Sequence, residues 1–279
     1  MSYSDIELEK IAVSVRKKTL EIIFNASGGH TGGSLSSVDI LVTLYHAVMN
    51  VNPENFSNPD RDRFILSKGH SVESLYAVLA TCGFITNELL ESYGKFNTLL
   101  AGHPTKHVYG VELNSGSLGH GLSVGVGMAL AGKRSSKNYK VYVLMGDGEQ
   151  GEGSLMEAAA AAGHYQLNNL VGIIDRNNLQ ISGPTEEVCR VDDLVAKYTA
   201  CNWHVDSCNG NSINELRDKF SKIPFSYKKP SLLIAHTKKG KGVSFIENQP
   251  EWHHKVPSHE QFKLAMEELN KKMEELNHV

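Results

Sequence analysis

The sequence predicts an α/β protein built on an open, mostly parallel sheet with helices on both faces. Three observations carry this reading. An apolar run, Val141-Tyr142-Val143-Leu144-Met145, ends directly on Gly146-Asp147-Gly148. A second apolar run ends on Asp175-Arg176-Asn177-Asn178. Between them Gly153 to Tyr165, with Ser154, Leu155, Met156 and five alanines, reads as a helix. Successive parallel strands of such a unit lie side by side and open their carboxyl ends on one crevice.

The other elements follow from periodicity and breakers. Residues 4–26 place Ile6, Ile11, Val15, Leu20 and Ile23 among charges, the pattern of an amphipathic helix. Gly28-Gly29-His30-Thr31-Gly32-Gly33 breaks it, and Ser37 to Met49 reads as a second helix. The Asn- and Pro-rich stretch from Asn52 is a loop, followed by a short strand from Arg63 and a helix from about Ser71 to Cys82. Residues 94–117, rich in Gly, Asn and His, read as a long loop, a length that is usually functional inside a compact domain. Gly119 to Gly132 is a helix dense in Gly and Ala, which implies close packing against a neighbour. Val191–Tyr198, Ile213–Phe220 and the strand Ser231–His236 continue the alternation. The segment 258–278 carries Phe262, Met266, Leu269, Met273 and Leu276 on one face. That stripe suits packing on its own domain or on a partner, the former being the commoner outcome.

Composition narrows the class. The chain has 279 residues, 41% hydrophobic and 21% charged, with a formal net charge of −3, which is ordinary for a globular protein. Interspersed charge gives no nucleic-acid surface, and no apolar stretch approaches a membrane span. The N-terminal residues carry no signal-peptide pattern. Cys82, Cys189, Cys201 and Cys208 show no C-x-x-C spacing, so reduced thiols and a cytoplasmic location are expected.

The chemistry sits at the strand ends. A carboxylate at Asp147, a carboxamide at Asn177 and a nearby backbone carbonyl suit a hard divalent cation that also takes phosphate oxygens. The glycines of Gly146-Asp147-Gly148 let a bulky diphosphate approach the backbone. Four histidines, His30, His70, His103 and His253, fall in Gly-rich or polar turns, where side chains on a rigid scaffold tend to carry function. Imidazole can donate and accept protons near neutral pH. Competing motifs fail. Gly127 to Lys133 nearly spells a P-loop, but Arg134 replaces its Ser or Thr and the segment is helical. No G-x-G-x-x-G follows a strand, and Pro104 spoils a zinc helix between His103 and His107.

Gly-Asp-Gly followed about thirty residues later by Asn-Asn resembles the thiamine diphosphate motif, and Gly-Asp-Gly-Glu-Gln-Gly-Glu-Gly with Glu157-Ala158 resembles transketolase in particular. The resemblance implies Mg²⁺, or another divalent cation such as Ca²⁺ or Mn²⁺, held by Asp147, Asn177 and the Leu179 carbonyl. It implies thiamine diphosphate held by His70, Gly148, Glu149, Asn177 and His253, and by the turn Gly116-Ser117-Leu118-Gly119-His120-Gly121. That turn departs from the family pattern at Ser117 and His120. Glu149 has no role derivable from its type. The resemblance assigns His30, His103 and His253 to the hydroxyls and protons of the sugar, although His254 adjoins His253. Glu152 matches a glutamate at the subunit interface near the pyrimidine, and Glu157 reads equally well as a charge complementing its helix dipole.

The resemblance runs from Gly29-His30 to Trp252-His253 and implies one diphosphate-binding domain over 1–279 with a C-terminal helical extension at about 258–278. It covers only the N-terminal part of the family's usual polypeptide. The activating glutamate, the pyrimidine pocket and the arginines for sugar phosphate belong to the domain that follows. The implied protein is the N-terminal subunit of a split transketolase, completed by a separate C-terminal subunit in a two-fold assembly, a heterotetramer. It would move a two-carbon ketol unit from a ketose phosphate to an aldose phosphate. The alternatives are a pathway-specific transketolase for a modified ketose, sulfonated or deoxy, a non-catalytic cofactor-binding partner subunit, and a plain nucleotide-binding α/β domain.

Overall fold

The structure, a computed structural model, describes residues 3–278. Five parallel strands, β1 (Arg63–Leu66), β2 (Val141–Gly146), β3 (Leu170–Arg176), β4 (His204–Asn209) and β5 (Ser231–His236), lie in the order β1-β2-β3-β5-β4. The expected open parallel sheet is therefore present. Strand alternation divides its side chains between two cores, as a two-faced sheet requires. Tyr142, Leu144, Val171, Ile173, Leu233 and Ala235 join one core. Val141, Val143, Met145, Leu170, Ile174, Leu232 and Ile234 join the other.

The first face is covered by α1 (Asp5–Ala26), α3 (Val38–Thr43), α4 (Val72–Thr81) and α10 (Ile213–Ser221), while α2 (Thr31–Ser36) meets the strand ends, its Ser36 hydroxyl donating to Asp175 at 2.6 Å. Helix α1 starts on a Ser4 capping box closed by Glu7. The second helix expected at Ser37–Met49 divides: α3 gives way to a wider turn over Leu44–Val48, with the Met49 amide bonded to the Leu44 carbonyl at 2.8 Å. The long loop expected before α6 (His120–Arg134) is present, preceded by the short α5 (Asn87–Leu90). The opposite face carries α6, α7 (Gly153–His164) and α9 (Leu194–Ala200), with the short α8 (Thr185–Val188) lying before α9. The expected close packing of α6 is real: a Cβ at Gly125 would lie 2.6 Å from the Val143 side chain. Only glycine lets the helix lie this low on the sheet.

The apolar stripe of α11 (His259–Asn277) packs within the chain. Ala265, Leu269 and Leu276 are buried with Val13, Leu20 and Trp252, and Phe262 stacks on Phe24 at 4.3 Å between centroids. Among the described residues, no helix is long and apolar enough to cross a membrane. Two features escaped the periodicity. Edge strand β4 is polar and half exposed, with Cys208 buried, so it shows no continuous apolar face. Helix α9 begins three residues later than its apolar run, at the Asp193 cap.

Trp203 fastens α7 to the sheet. It is buried, donates its indole N–H to the Ala159 carbonyl at 2.9 Å and meets Tyr198 edge-on at 5.3 Å. Trp203→Ala should cost about 3–5 kcal/mol of unfolding free energy, read as a fall in the urea midpoint, while Trp203→Phe should lose less.

Candidate functional site

The register of the central strands builds the site. Gly146 pairs with Asp175 across β2 and β3, so the two turns that follow leave the sheet side by side. Asp147 Oδ2 accepts the Asn178 amide at 2.6 Å, and Oδ1 accepts the Gly148 amide at 2.8 Å. Asn177 Oδ1 accepts the Leu179 amide at 3.2 Å. Beside these turns opens a cavity of about 440 Å³ at the carboxyl ends of the strands. This is where ligands bind in open α/β sheets.

Most of the residues expected from the sequence converge here. Asp147, Gly148, Asn177 and Leu179 form one wall, and Gly116 and Leu118 another. His30, His70 and His253 also line it, with ring centroids 5.3–5.6 Å apart. His103 stands outside the cavity wall, exposed, its ring against Gly116 and 6.1 Å from His30. Ser117 is exposed, its hydroxyl 3.2 Å from His120 Nδ1. Glu152 and Glu157 are also exposed and off the cavity, Glu152 lying at the start of α7 against Gly119.

Glu149 borders the cavity, but its carboxylate is engaged elsewhere. It accepts from the Gly119 amide at 2.7 Å, the Gly146 amide at 3.0 Å and the Ser67 hydroxyl. It therefore ties the 116–119 turn to the end of β2. Burial raises its pKa despite these donors.

Several participants carried no assigned role in the sequence. Lys68 is buried, donates to the Gly33 carbonyl at 2.9 Å and pairs with Asp175, which also accepts from Ser36 at 2.6 Å and from Thr237. Lys239, also buried, reaches the Gln180 carbonyl at 3.3 Å and His253 Nδ1 at 3.1 Å. A lysine beside Gly240, just past the end of β5, was the available signal for it. Glu73 is buried and accepts from the His30 amide at 3.0 Å, Ser34 at 2.7 Å and the Tyr93 hydroxyl at 2.8 Å, fixing the turn that carries His30. Arg176 spans Asp147 at 3.3 Å, Thr185 at 2.7 Å and Asp192 at 2.8 Å, joining the first turn to the 185–192 segment. The loop between Leu179 and Pro184, closed by an antiparallel bridge, hangs Ile181 over the cavity with 71% of its surface exposed.

The electrostatics describe a cavity short of counter-charge. Burial, then the neighbouring Asp175, raises the Asp147 pKa. Burial, then the Lys68 charge, lowers Lys239 to about 8. His30 falls to about 4 and His253 to about 3, burial leading in both. His30 Nδ1 is buried without a hydrogen-bond partner. A dication beside Asp147 and an anion beside the two lysines would relieve these penalties together. Among the described residues, no three His, Cys, Asp or Glu side chains cluster around a cation position. The donor set on offer is one carboxylate, one amide oxygen and one backbone carbonyl, which suits Mg²⁺ sharing its shell with water and phosphate.

Comparison with known proteins agrees with this chemistry. Residues 8–273 match the family model described as transketolase, thiamine diphosphate binding domain. A subunit of the apulose-4-phosphate transketolase from Phocaeicola vulgatus is 51% identical over 94% of this chain and 93% of its own length. A 6-deoxy-6-sulfo-D-fructose transketolase subunit from Clostridium sp. is 39% identical over 97% of this chain and 99% of its own. The crystal structure of Campylobacter jejuni transketolase superposes with a TM-score of 0.90 at 30% identity, covering 96% of this chain but 43% of that one. The chain thus spans less than half of the transketolase structures it matches, and nearly all of the relatives named as subunits. Thiamine diphosphate with a divalent cation is the cofactor of this domain, and the donors around the cavity fit both. The chain belongs to the transketolase family, as its thiamine diphosphate binding domain.

Proposed function

We propose that this chain is the diphosphate-binding subunit of a two-chain transketolase that moves a two-carbon ketol unit from a ketose phosphate to an aldose phosphate. The observation that carries the reading is the meeting of the Asp147 and Asn177 turns at a histidine-lined cavity. In this reading Asp147, Asn177 and the Leu179 carbonyl hold Mg²⁺. Gly148, Asn177, His70, His253, Lys239 and the turn Gly116-Ser117-Leu118 hold the cofactor. Glu149 acts on the cofactor through that turn, since its own oxygens are engaged. Bound there, thiamine diphosphate would supply the nucleophilic carbon that accepts the ketol fragment and releases it to a second sugar.

The chain's own residues divide the remaining work. Burial keeps His30 and His253 neutral at pH 7, so each can give a hydrogen bond to a hydroxyl or accept one from it. His103, exposed beside Gly116 and 6.1 Å from His30, reaches the sugar from outside the cavity wall. Glu152 faces outward, as a residue contacting a second subunit would. The partner is a C-terminal subunit that brings the activating carboxylate and the grip on sugar phosphate, and the assembly is a heterotetramer working in the cytoplasm. Support for the partner comes from relatives named as subunits that match end to end. The four cysteines are free, in keeping with a reducing compartment.

A second reading has its own support: the relatives named for apulose-4-phosphate and for a sulfonated fructose favour a transketolase dedicated to one modified ketose over one of the pentose phosphate pathway. Assay of the reconstituted pair against a panel of ketose donors separates the two.

Two outcomes are expected. Calorimetric titration of the pair with thiamine diphosphate and Mg²⁺ should show Asp147→Ala weakening binding by more than the roughly 10- to 100-fold typical of an outer-shell metal partner; unchanged affinity would refute the metal site. The isolated chain should show no ketol transfer, and addition of the partner should restore it. Turnover by the chain alone would refute the two-chain enzyme.

A further inference from the structure

The two consecutive histidines after Trp252 face different surroundings. His253 is turned into the cavity, with Nδ1 3.1 Å from the Lys239 ammonium and its ring 5.3 Å from that of His70. His254 is exposed and meets the His30 ring edge-on at 4.5 Å between centroids. That is closer than the approaches of His70, His103 or His253 to His30, which range from 5.4 to 6.1 Å. His30 is thus the hub of the cluster, and His254 extends the cluster outward from the cavity.

This placement is built into the backbone. Helix α2, whose first turn His30 precedes, clamps the segment on both sides of the two histidines. The Thr31 hydroxyl donates to the Lys255 carbonyl at 2.6 Å. A Cβ at Gly32 would lie 2.8 Å from the Trp252 carbonyl, so only glycine admits the contact. Trp252 is buried, its ring 5.7 Å from that of Phe245, and the Lys255 ammonium lies 4.6 Å from the Trp252 ring centre. With residues 252 and 255 both held, one imidazole is committed inward and the other to the rim. A side chain held this way at the mouth of a site reads the part of the substrate that protrudes from it.

We propose that His254 is a specificity-determining residue that hydrogen-bonds a hydroxyl of the sugar as it passes the rim beside His30. The assignment rests on the ketol-transfer reading above. Because the contact forms with bound sugar and persists through the reaction, losing it raises KM and leaves kcat nearly unchanged.

The test uses the reconstituted two-chain enzyme and two variants. His254→Phe keeps a ring against His30 but removes the hydrogen bond, and His254→Gln keeps a polar group. KM and kcat are measured for ketose donors and aldose acceptors that differ by one hydroxyl at a time, alongside calorimetric titration with thiamine diphosphate. His254→Phe should raise KM about tenfold, the size of one lost hydrogen bond in a site, for sugars carrying the recognised hydroxyl. It should leave the KM of sugars lacking that hydroxyl and the cofactor affinity unchanged. His254→Gln should recover part of the loss. In an active pair, unchanged KM for every sugar overturns the assignment alone. A uniform fall in kcat with weakened cofactor binding also overturns it, since that marks a packing role. No transfer by the unmutated pair, with cofactor bound, overturns the ketol-transfer reading and the assignment together.

Discussion

One constraint underlies the site: the parallel register that sets Gly146 of β2 opposite Asp175 of β3. Each residue of a strand advances about 3.3 Å and reverses the face of its side chain. A slip of one residue would carry Asn177 away from Asp147 and turn Asp175 out of its pairing with Lys68. In the observed register, the Asn178 amide closes on Asp147 at 2.6 Å and the two turns behave as one unit. The apolar run of each strand, buried along its whole length, holds that register, so the hydrophobic sheet fixes the chemistry at its edge.

The groups around the cavity are themselves held by groups further back. Asp175 sits at the end of β3 with Lys68, Ser36 and Thr237 as donors, and so ties β1, β3, β5 and α2 together beneath the site. Glu149 does the same for the 116–119 turn, and Glu73 for the turn that carries His30. Burying carboxylates is costly unless their oxygens are met by donors. Here each has three or more, so the cost becomes rigidity of the loops that must hold a ligand without reorganising.

What the sequence revealed follows from how local each signal is. The strand–helix–strand unit, the Gly-Asp-Gly turn and the histidines in glycine-rich loops are short-range patterns, and the residues they named line one cavity, except His103, which stands outside its wall. Strand β4 was invisible because an edge strand needs no alternation. Lys68, Lys239 and Glu73 were unassigned because a lysine or glutamate announces a solvated surface unless something shows that it is buried. That is a property of the fold: Lys68 is covered by α2, and Lys239 by the 252–255 segment and the Gln180 loop. Glu149 is the reverse case. The resemblance set it beside the cofactor, and its hydrogen bonds run to protein groups at Ser67, Gly119 and Gly146.

Burial and charge act together on the histidines of the cavity. Burial provides the largest part of the depression of His30 and His253, and the cationic neighbours Lys68 and Lys239 add to it. A diphosphate beside those lysines would oppose their field and move both imidazole pKa values back toward neutrality, where proton exchange with a hydroxyl is easiest. The same anion would return the Lys239 pKa toward its ordinary value. Occupancy of the cavity by an anion would therefore shift the histidines that line it. Coupling of this kind needs the lysines, the histidines and the metal turn on one rigid scaffold.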